Sequence, residues 1–170
     1  MHRVRLDPGT RLAATCDVPD LELFPSRYRG VQSVRFAAAL EFGVQHLALW
    51  GLAALRRIGL PLPVGRWAVH LDRLSGLFNR SAGDQGAMRV CIVGRKGDGS
   101  LWRRTWQLTA PATNGPEIPC MAAILLARRL ARGQLFTAGA FACMGFLSLA
   151  DFSAEFARWN ITTRVEEEPA

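Results

Sequence analysis

Lysine is almost missing from this sequence, although the chain is strongly basic. Lys96 is the one lysine among 21 cationic residues, and the net charge is +7. The preference for arginine is typical of GC-rich coding DNA, so we expect a bacterial source. A basic chain attracts nucleic acid and anionic membranes at long range. However, no block of five or more basic residues occurs, and we therefore expect no nucleic-acid partner.

Closely spaced cysteines are missing too. The four cysteines stand far apart and form no Cys-x-x-Cys pair: Cys16, Cys91, Cys120 and Cys143. Such spacing supports neither a zinc site nor a disulfide framework. A cysteine without such a partner usually behaves as a small apolar residue, so we expect buried, reduced thiols in a cytoplasmic protein.

Long apolar runs are absent as well. Residues 1–7 have no apolar core, which argues against a signal peptide. The segment 37–55 is strongly apolar, but Glu41, Gln45 and His46 interrupt it before it reaches the roughly 18 to 20 residues that cross a bilayer. We expect a buried helix here, with peripheral membrane contact as the less favoured alternative.

The glycine-rich loop that binds a dinucleotide is also absent. Its nearest match is Gly97-Asp98-Gly99, where Trp102 takes the place of the third glycine and a strand follows. Without a helix N-terminus such a loop has no dipole to receive a pyrophosphate, so a hairpin turn explains it better. Walker loops, closely spaced histidine pairs and nucleophile elbows are missing too. We therefore name no catalytic, cofactor-binding or metal-binding residue.

A β-hairpin is the clearest structural signal that is present. Residues alternate in polarity over 88–93 and again over 101–108, and the turn 97–100 between them contains Asp-Gly. A further strand pattern lies at 31–40. We therefore expect the hairpin to form part of a sheet that is mainly antiparallel.

Helical spacing of apolar residues accounts for much of the remaining chain. It predicts helices over 42–58, 65–78 and 151–158. The mixture of elements predicts an α+β fold: a small mixed, mainly antiparallel sheet with a β-hairpin, packed by about four helices. We expect a single domain over 1–170, with loose ends at 1–15 and 166–170.

A proline fixes the start of the fourth helix. Inside a helix, Pro119 would clash with the carbonyl of Gly115, so we place it at the first helical position. Small and apolar residues follow at helical spacing and predict the face that packs on a sheet: Cys120, Ala123, Ile124, Ala127, Leu130 and Ala131. Gly133 then ends the helix.

Few polar residues are candidates for a substrate cleft. Asp20 belongs to an acidic cluster beside Pro19, and such carboxylates either transfer protons or, more often, cap turns. Arg103 and Arg104 point to opposite faces of one strand, so one of them could bind a substrate carboxylate; an exposed arginine is the plainer alternative. His46 is expected to be a buried structural residue rather than an acid or base. We select Asp20 and Arg103.

Three segments, taken in order, resemble the C-terminal domain of saccharopine dehydrogenase-like oxidoreductases. They are the Pro-Asp turn within 17–25, the strand-like 34–36 before the long apolar helix, and Gly-Pro-Glu-Ile-Pro at 115–119 before the small-residue helix. In that family an N-terminal domain binds NAD(P), and the C-terminal domain contributes substrate contacts and dimerisation. The resemblance implies that Gly115, Glu117 and Pro119 border a substrate cleft.

The nucleotide-binding half of that family has no counterpart in these 170 residues. The resemblance thus implies a substrate-side and dimerisation domain that is not catalytic alone and holds no cofactor itself. Its expected partners are a second copy or a separate or missing nucleotide-binding domain. A stand-alone scaffold domain that oligomerises is the first alternative, and a peripheral membrane protein is the second.

Overall fold

The α+β fold is confirmed by a computed structural model, which describes residues 2–6, 9–79, 85–111, 114–134 and 138–169. The strands form two three-stranded antiparallel sheets, where the sequence predicted one sheet, and the described residues include five α-helices. The chain divides into two compact units, Met1–Ala82 and Gly83–Ala170, where we expected one domain. We call these the first and the second unit.

The described residues of the first unit form one sheet and three helices. Its strands are β1 (His2–Arg5), β2 (Thr10–Thr15) and β3 (Ala37–Ala39), and its helices are α1 (Asp20–Arg27), α2 (Gly43–Arg57) and α3 (Val64–Asn79). Strand β2 is central and pairs antiparallel with both β1 and β3. The segment 1–15, expected to be loose, therefore contributes two strands. The strand predicted over 31–40 is shorter, because it pairs with β2 at Ala37–Ala39 alone.

Helix α1 begins within the segment 17–25, where the sequence predicts a Pro-Asp turn. Pro25 lies inside it, where the ring has no N–H to donate to the preceding turn. The helix continues past the proline, since Tyr28 N–H still donates to the Phe24 carbonyl over 2.9 Å. The proline thus removes one hydrogen bond without ending the helix.

Helix α2 confirms the predicted helix but is not buried as we expected. His46 is buried, in agreement with its predicted structural role. The apolar stripe on another side of the helix is exposed and consists of Val44, Leu47, Leu55 and Ile58. We call these four residues the α2 stripe. Because His46 is buried and the α2 stripe is exposed, the side of α2 that carries His46 faces the first unit. The apolar side faces outward.

The second unit is built on the predicted hairpin. Its strands are β4 (Gly86–Arg95), β5 (Leu101–Ala110) and β6 (Thr162–Pro169); its helices are α4 (Glu117–Ala131), a 3₁₀ turn (Leu149–Phe152) and α5 (Ser153–Arg158). The strand order is β4-β5-β6, and both pairings are antiparallel. Strand β6 runs to Pro169, so most of the C-terminal segment expected to be loose is hydrogen-bonded to β5.

The core of the second unit lies between the sheet and α4. Leu108 and Ala110 of β5 meet Met121 of α4 and Ile161, all of them buried. Partly buried side chains surround this cluster: Trp106, Ile118, Phe152, Phe156 and Trp159. Met121 thus marks the inner face of α4.

The predicted inner face of α4 was wrong. Helix α4 begins at Glu117, with Pro116 as its N-cap, so Pro119 is the third helical residue instead of the first. A proline is tolerated there because N–H groups of the first turn have no partner within the helix. Residues predicted to be buried, such as Ile124 and Leu130, are exposed.

Candidate functional site

An apolar groove of about 540 Å³ lies in the second unit. It is bounded by the β4–β5 hairpin on one side and by the start of α4, the 3₁₀ turn and α5 on the other. Every lining residue is apolar: Met88, Val90, Trp106, Leu108, Ile118, Pro119, Ala122, Leu149, Phe152 and Phe156. This volume falls within the range of small-molecule sites.

The sheet wall of the groove follows directly from strand alternation. Met88 lies opposite Leu108, and Val90 lies opposite Trp106. Because side chains two residues apart share one face of a strand, these two cross-strand pairs form adjacent rows. The hairpin register therefore builds a continuous apolar wall from four side chains.

The helical wall is fixed by two arginines in the last turns of α4. Arg129 donates from Nη1 to the Phe146 carbonyl over 2.7 Å and from Nη2 to Asp151 Oδ1 over 2.6 Å. Arg128 forms an ion pair with the buried Glu155 of α5. Charge-assisted hydrogen bonds of this kind are stronger than neutral ones. They hold α4, the 3₁₀ turn and α5 in one arrangement around the groove.

Asp151 is the most strongly supported carboxylate of this wall. Its Oδ2 accepts hydrogen bonds from the Ser148 N–H at 2.7 Å and from the Ser148 hydroxyl at 2.9 Å. These two bonds, followed by the charge of Arg129, hold the pKa of Asp151 below its usual value. A carboxylate that stays ionised in this way serves structure, since it is a poor general acid.

Arg103, one of the two polar residues selected as site candidates, faces away from the groove. It donates to Glu168 of β6 over 3.3 Å, on the sheet face opposite Trp106. Arg104 shares the face of Trp106 and Leu108, is exposed, and forms no side-chain ion pair or hydrogen bond with the described part of the chain. Arg104, and not Arg103, therefore lies on the face of the sheet that borders the groove.

The three residues of the family motif lie at the start of α4. Pro119 lines the groove, whereas Gly115 and Glu117 lie beside it. The Gly115 carbonyl accepts the Ile118 N–H over 3.2 Å, and the Glu117 carboxylate complements the positive end of the helix dipole. A Cβ at Gly86 would come within 3.5 Å of the Gly115 Cα, so the motif turn passes close to the first residue of β4.

Asp20 belongs to the first unit, unlike the other four candidates. It is the first residue of α1 and is partly buried. An acidic side chain in the first turn stabilises a helix through the dipole. The contribution of Asp20 to α1 is through the dipole, since the helix begins without a side-chain cap hydrogen bond.

The hairpin turn does not fit the pyrophosphate of NAD(P). Asp98 accepts hydrogen bonds from the Ser100 N–H at 2.9 Å and its hydroxyl at 2.6 Å, and these bonds lower the pKa of Asp98. The turn therefore presents a carboxylate and leads into a strand, whereas a pyrophosphate requires N–H donors at a helix N-terminus. Among the residues described, no group of three or more His, Cys, Asp or Glu could hold a metal ion.

The sequence contained part of the signal for this site. Alternation in polarity places Met88 and Val90 on one face of β4 and Trp106 and Leu108 on one face of β5, but it does not show that the two faces form one wall. Phe152 and Phe156 lie at helical spacing within the predicted helix 151–158, and they pack on the core while also lining the groove. The missing information was how α4 and the 3₁₀ turn approach that face.

The thiols differ from the prediction. Cys91, Cys120 and Cys143 are exposed, and Cys16 is partly buried.

The described helices include none that is long and apolar enough to cross a bilayer. No protein-family model, no curated protein and no solved structure matches this chain.

Proposed function

We propose that this chain is a binding and association domain, the substrate-side and dimerisation domain of a saccharopine dehydrogenase-like oxidoreductase. The observation that carries this proposal is the position of Ile118 and Pro119. Both belong to the motif that resembles the family, and both line the apolar groove. The motif thus meets the groove at these two residues, as expected for a segment that borders a substrate.

The walls of the groove favour binding over chemistry by this chain. All ten lining side chains are apolar, so they can exclude water and orient an apolar substrate but supply no acid, base or nucleophile. In the proposed arrangement, NAD(P) and the residues of hydride transfer belong to a nucleotide-binding domain outside these 170 residues. The present chain holds the substrate.

The α2 stripe supplies the proposed association surface. Val44 and Ile58, at its two ends, are 67% and 73% exposed, and Leu47 and Leu55 lie between them. An apolar patch that is continuous along a helix is unfavourable in water and is typical of a surface that binds another protein. We assign it to the nucleotide-binding domain.

The first experiment measures NADPH binding by the chain alone and by a mixture. We expect no binding to the chain alone, and binding to its complex with a separately expressed nucleotide-binding domain from a saccharopine dehydrogenase-like protein. Leu47→Glu places a charge in the α2 stripe and is expected to prevent the complex. Gln45→Glu, on the same helix but outside the stripe, is the matched control. Tight NADPH binding by the chain alone, or no complex, would contradict the proposal.

A stand-alone scaffold domain is the second candidate, favoured by the same α2 stripe. It predicts a homo-oligomer in analytical ultracentrifugation that Leu47→Glu converts to monomer. This oligomer is expected not to bind the nucleotide-binding domain.

Peripheral membrane contact through α2 is the third candidate. It predicts co-sedimentation with anionic vesicles, which Leu47→Glu should abolish and Gln45→Glu should leave unchanged. The first two candidates imply a cytoplasmic location.

A further inference from the structure

We infer that the groove binds a carboxylic acid with an aliphatic chain and that Arg104 binds its carboxylate. This inference rests on the proposed function, because it names the substrate class of a substrate-side domain. Binding itself needs neither cofactor nor partner. It can therefore be tested on this chain alone.

The position of Arg104 is set by the strand register. Trp106 lines the groove, and Arg104 lies two residues earlier on the same face of β5, about 7 Å away along the strand. In the same row, Ile92 of β4 lies opposite Arg104 and is 54% exposed. The apolar wall thus continues through Ile92 to a cation at the hairpin end of the groove.

The charges around this end suit an anion. None of the ten residues lining the groove is acidic. The nearest carboxylate by register is Glu167 of β6, opposite Arg104, and it forms an ion pair with Lys96 at 3.7 Å. Lys96 thus offsets the charge that would compete for Arg104. A guanidinium presents parallel N–H donors that match a carboxylate.

The rest of the groove suits a hydrocarbon chain. Phe152, Phe156 and Leu149 face the hairpin wall, and no polar side chain interrupts them. Each methylene removed from water there is expected to raise affinity roughly fourfold. A polar substrate of similar size would lose its hydrogen bonds to water without replacement. The geometry therefore selects an acid whose charge is confined to one end.

The test titrates the full chain with dodecanoate, below micelle-forming concentrations, and follows tryptophan fluorescence, since Trp106 lines the groove. Hexanoate and octanoate measure the dependence on chain length, and dodecanol measures the contribution of the charged headgroup. We expect dodecanoate to bind more tightly than hexanoate or dodecanol.

Two adjacent arginines provide the matched variants. Arg104→Gln is expected to weaken dodecanoate binding at least tenfold and to leave dodecanol binding unchanged, since a hydrogen bond to a charged group is lost. Arg103→Gln, on the opposite face, should leave the binding of dodecanoate and of dodecanol unchanged.

Two further variants change the groove itself. Ala122→Phe fills the groove and should remove binding of both ligands. Val90→Glu places a negative charge at a 41% exposed position of the sheet wall, so it does not bury the charge, and it should weaken binding of the acid more than binding of the alcohol.

Several outcomes would overturn the inference: equal effects of Arg103→Gln and Arg104→Gln, binding of dodecanol as tight as that of dodecanoate, no dependence on chain length, or binding that survives Ala122→Phe in a folded protein. Failure of the inference is distinct from failure of the proposed function. If the chain binds the acid through Arg104 but forms no complex with a nucleotide-binding domain, only the proposed function is refuted. If it forms that complex but does not bind the acid, only the inference is refuted.

Discussion

Arg129 and Asp151 are joined by a hydrogen bond of 2.6 Å that connects the end of α4 to the 3₁₀ turn. The same carboxylate accepts two bonds from Ser148, and the same guanidinium donates to the Phe146 carbonyl. One carboxylate and one guanidinium thus join α4 to the 3₁₀ turn within the helical wall of the groove. Asn114 adds a link near the other end of α4, where its Nδ2 donates to the Trp159 carbonyl over 2.8 Å.

Asp151→Asn is expected to reduce stability at neutral pH but not in strong acid. Because the pKa of Asp151 is lowered in the folded state, its contribution is present above the unfolded value of about 3.9 and is lost as pH falls through the folded value. Urea unfolding between pH 2 and pH 7 should show the two proteins converging below about pH 4. Ser148→Ala, which keeps the backbone donor, should give a smaller difference. A difference independent of pH would contradict this explanation.

Leu108→Ala tests the core under the groove. Leu108 is 1% exposed and contacts the Met121 cluster, so its truncation should cost about 2 to 5 kcal/mol in urea unfolding. Leu101→Ala on the same strand, at a position 44% exposed, should change stability by about 0.5 kcal/mol or less. Similar losses in the two variants would mean that the sheet face carrying Leu108 is not the packed one.

Gly94→Ala tests a close approach across the hairpin. A Cβ at Gly94 would lie 3.1 Å from Trp102 Nε1, so the indole ring must shift by a few tenths of an ångström. We expect an altered tryptophan emission spectrum and a loss of about 1 kcal/mol from overpacking. Gly97→Ala is the control, since nothing lies within 4 Å of its Cβ position. An unchanged spectrum for Gly94→Ala would show that Trp102 does not cover Gly94.

Thiol accessibility distinguishes Cys16 from the other cysteines. Cys91, Cys120 and Cys143 are exposed, whereas Cys16 is partly buried and its Sγ approaches the Ala14 carbonyl at 3.5 Å. A disulfide reagent applied to the folded protein should modify three thiols quickly and one slowly. Cys16→Ser should remove the slow phase alone. Loss of a fast phase in that variant would contradict the assignment.

The hairpin could be predicted because its signal is local. Alternation over 88–93 and 101–108, with Asp98-Gly99 between them, sufficed to identify both strands and their turn. Strand β6 runs to Pro169 through the segment expected to be loose, because its pairing with β5 overrides the low strand propensity of three glutamates. That pairing joins residues about sixty positions apart, which a local pattern does not reveal.

The inner face of α4 could not be predicted from apolarity alone. Its residues are small or apolar on several sides, so the sequence does not single out Met121 over Ile124. The hydrogen bonds of Arg128 to Glu155 of α5 and of Arg129 to Asp151 of the 3₁₀ turn select the face instead. Apolar spacing does not include these two arginines, whereas they are the contacts that orient the helix.

The register of one strand decides which arginine meets the groove. If β5 slipped so that Arg103 took the place of Arg104, then Thr105 and Gln107 would replace Trp106 and Leu108 in the wall. The tandem arginines would keep a cation at the groove end, while the apolar wall would be lost. Mutations that shift the strand would therefore weaken hydrocarbon binding while sparing the positive charge, so the charge, unlike the apolar wall, does not depend on the register of β5.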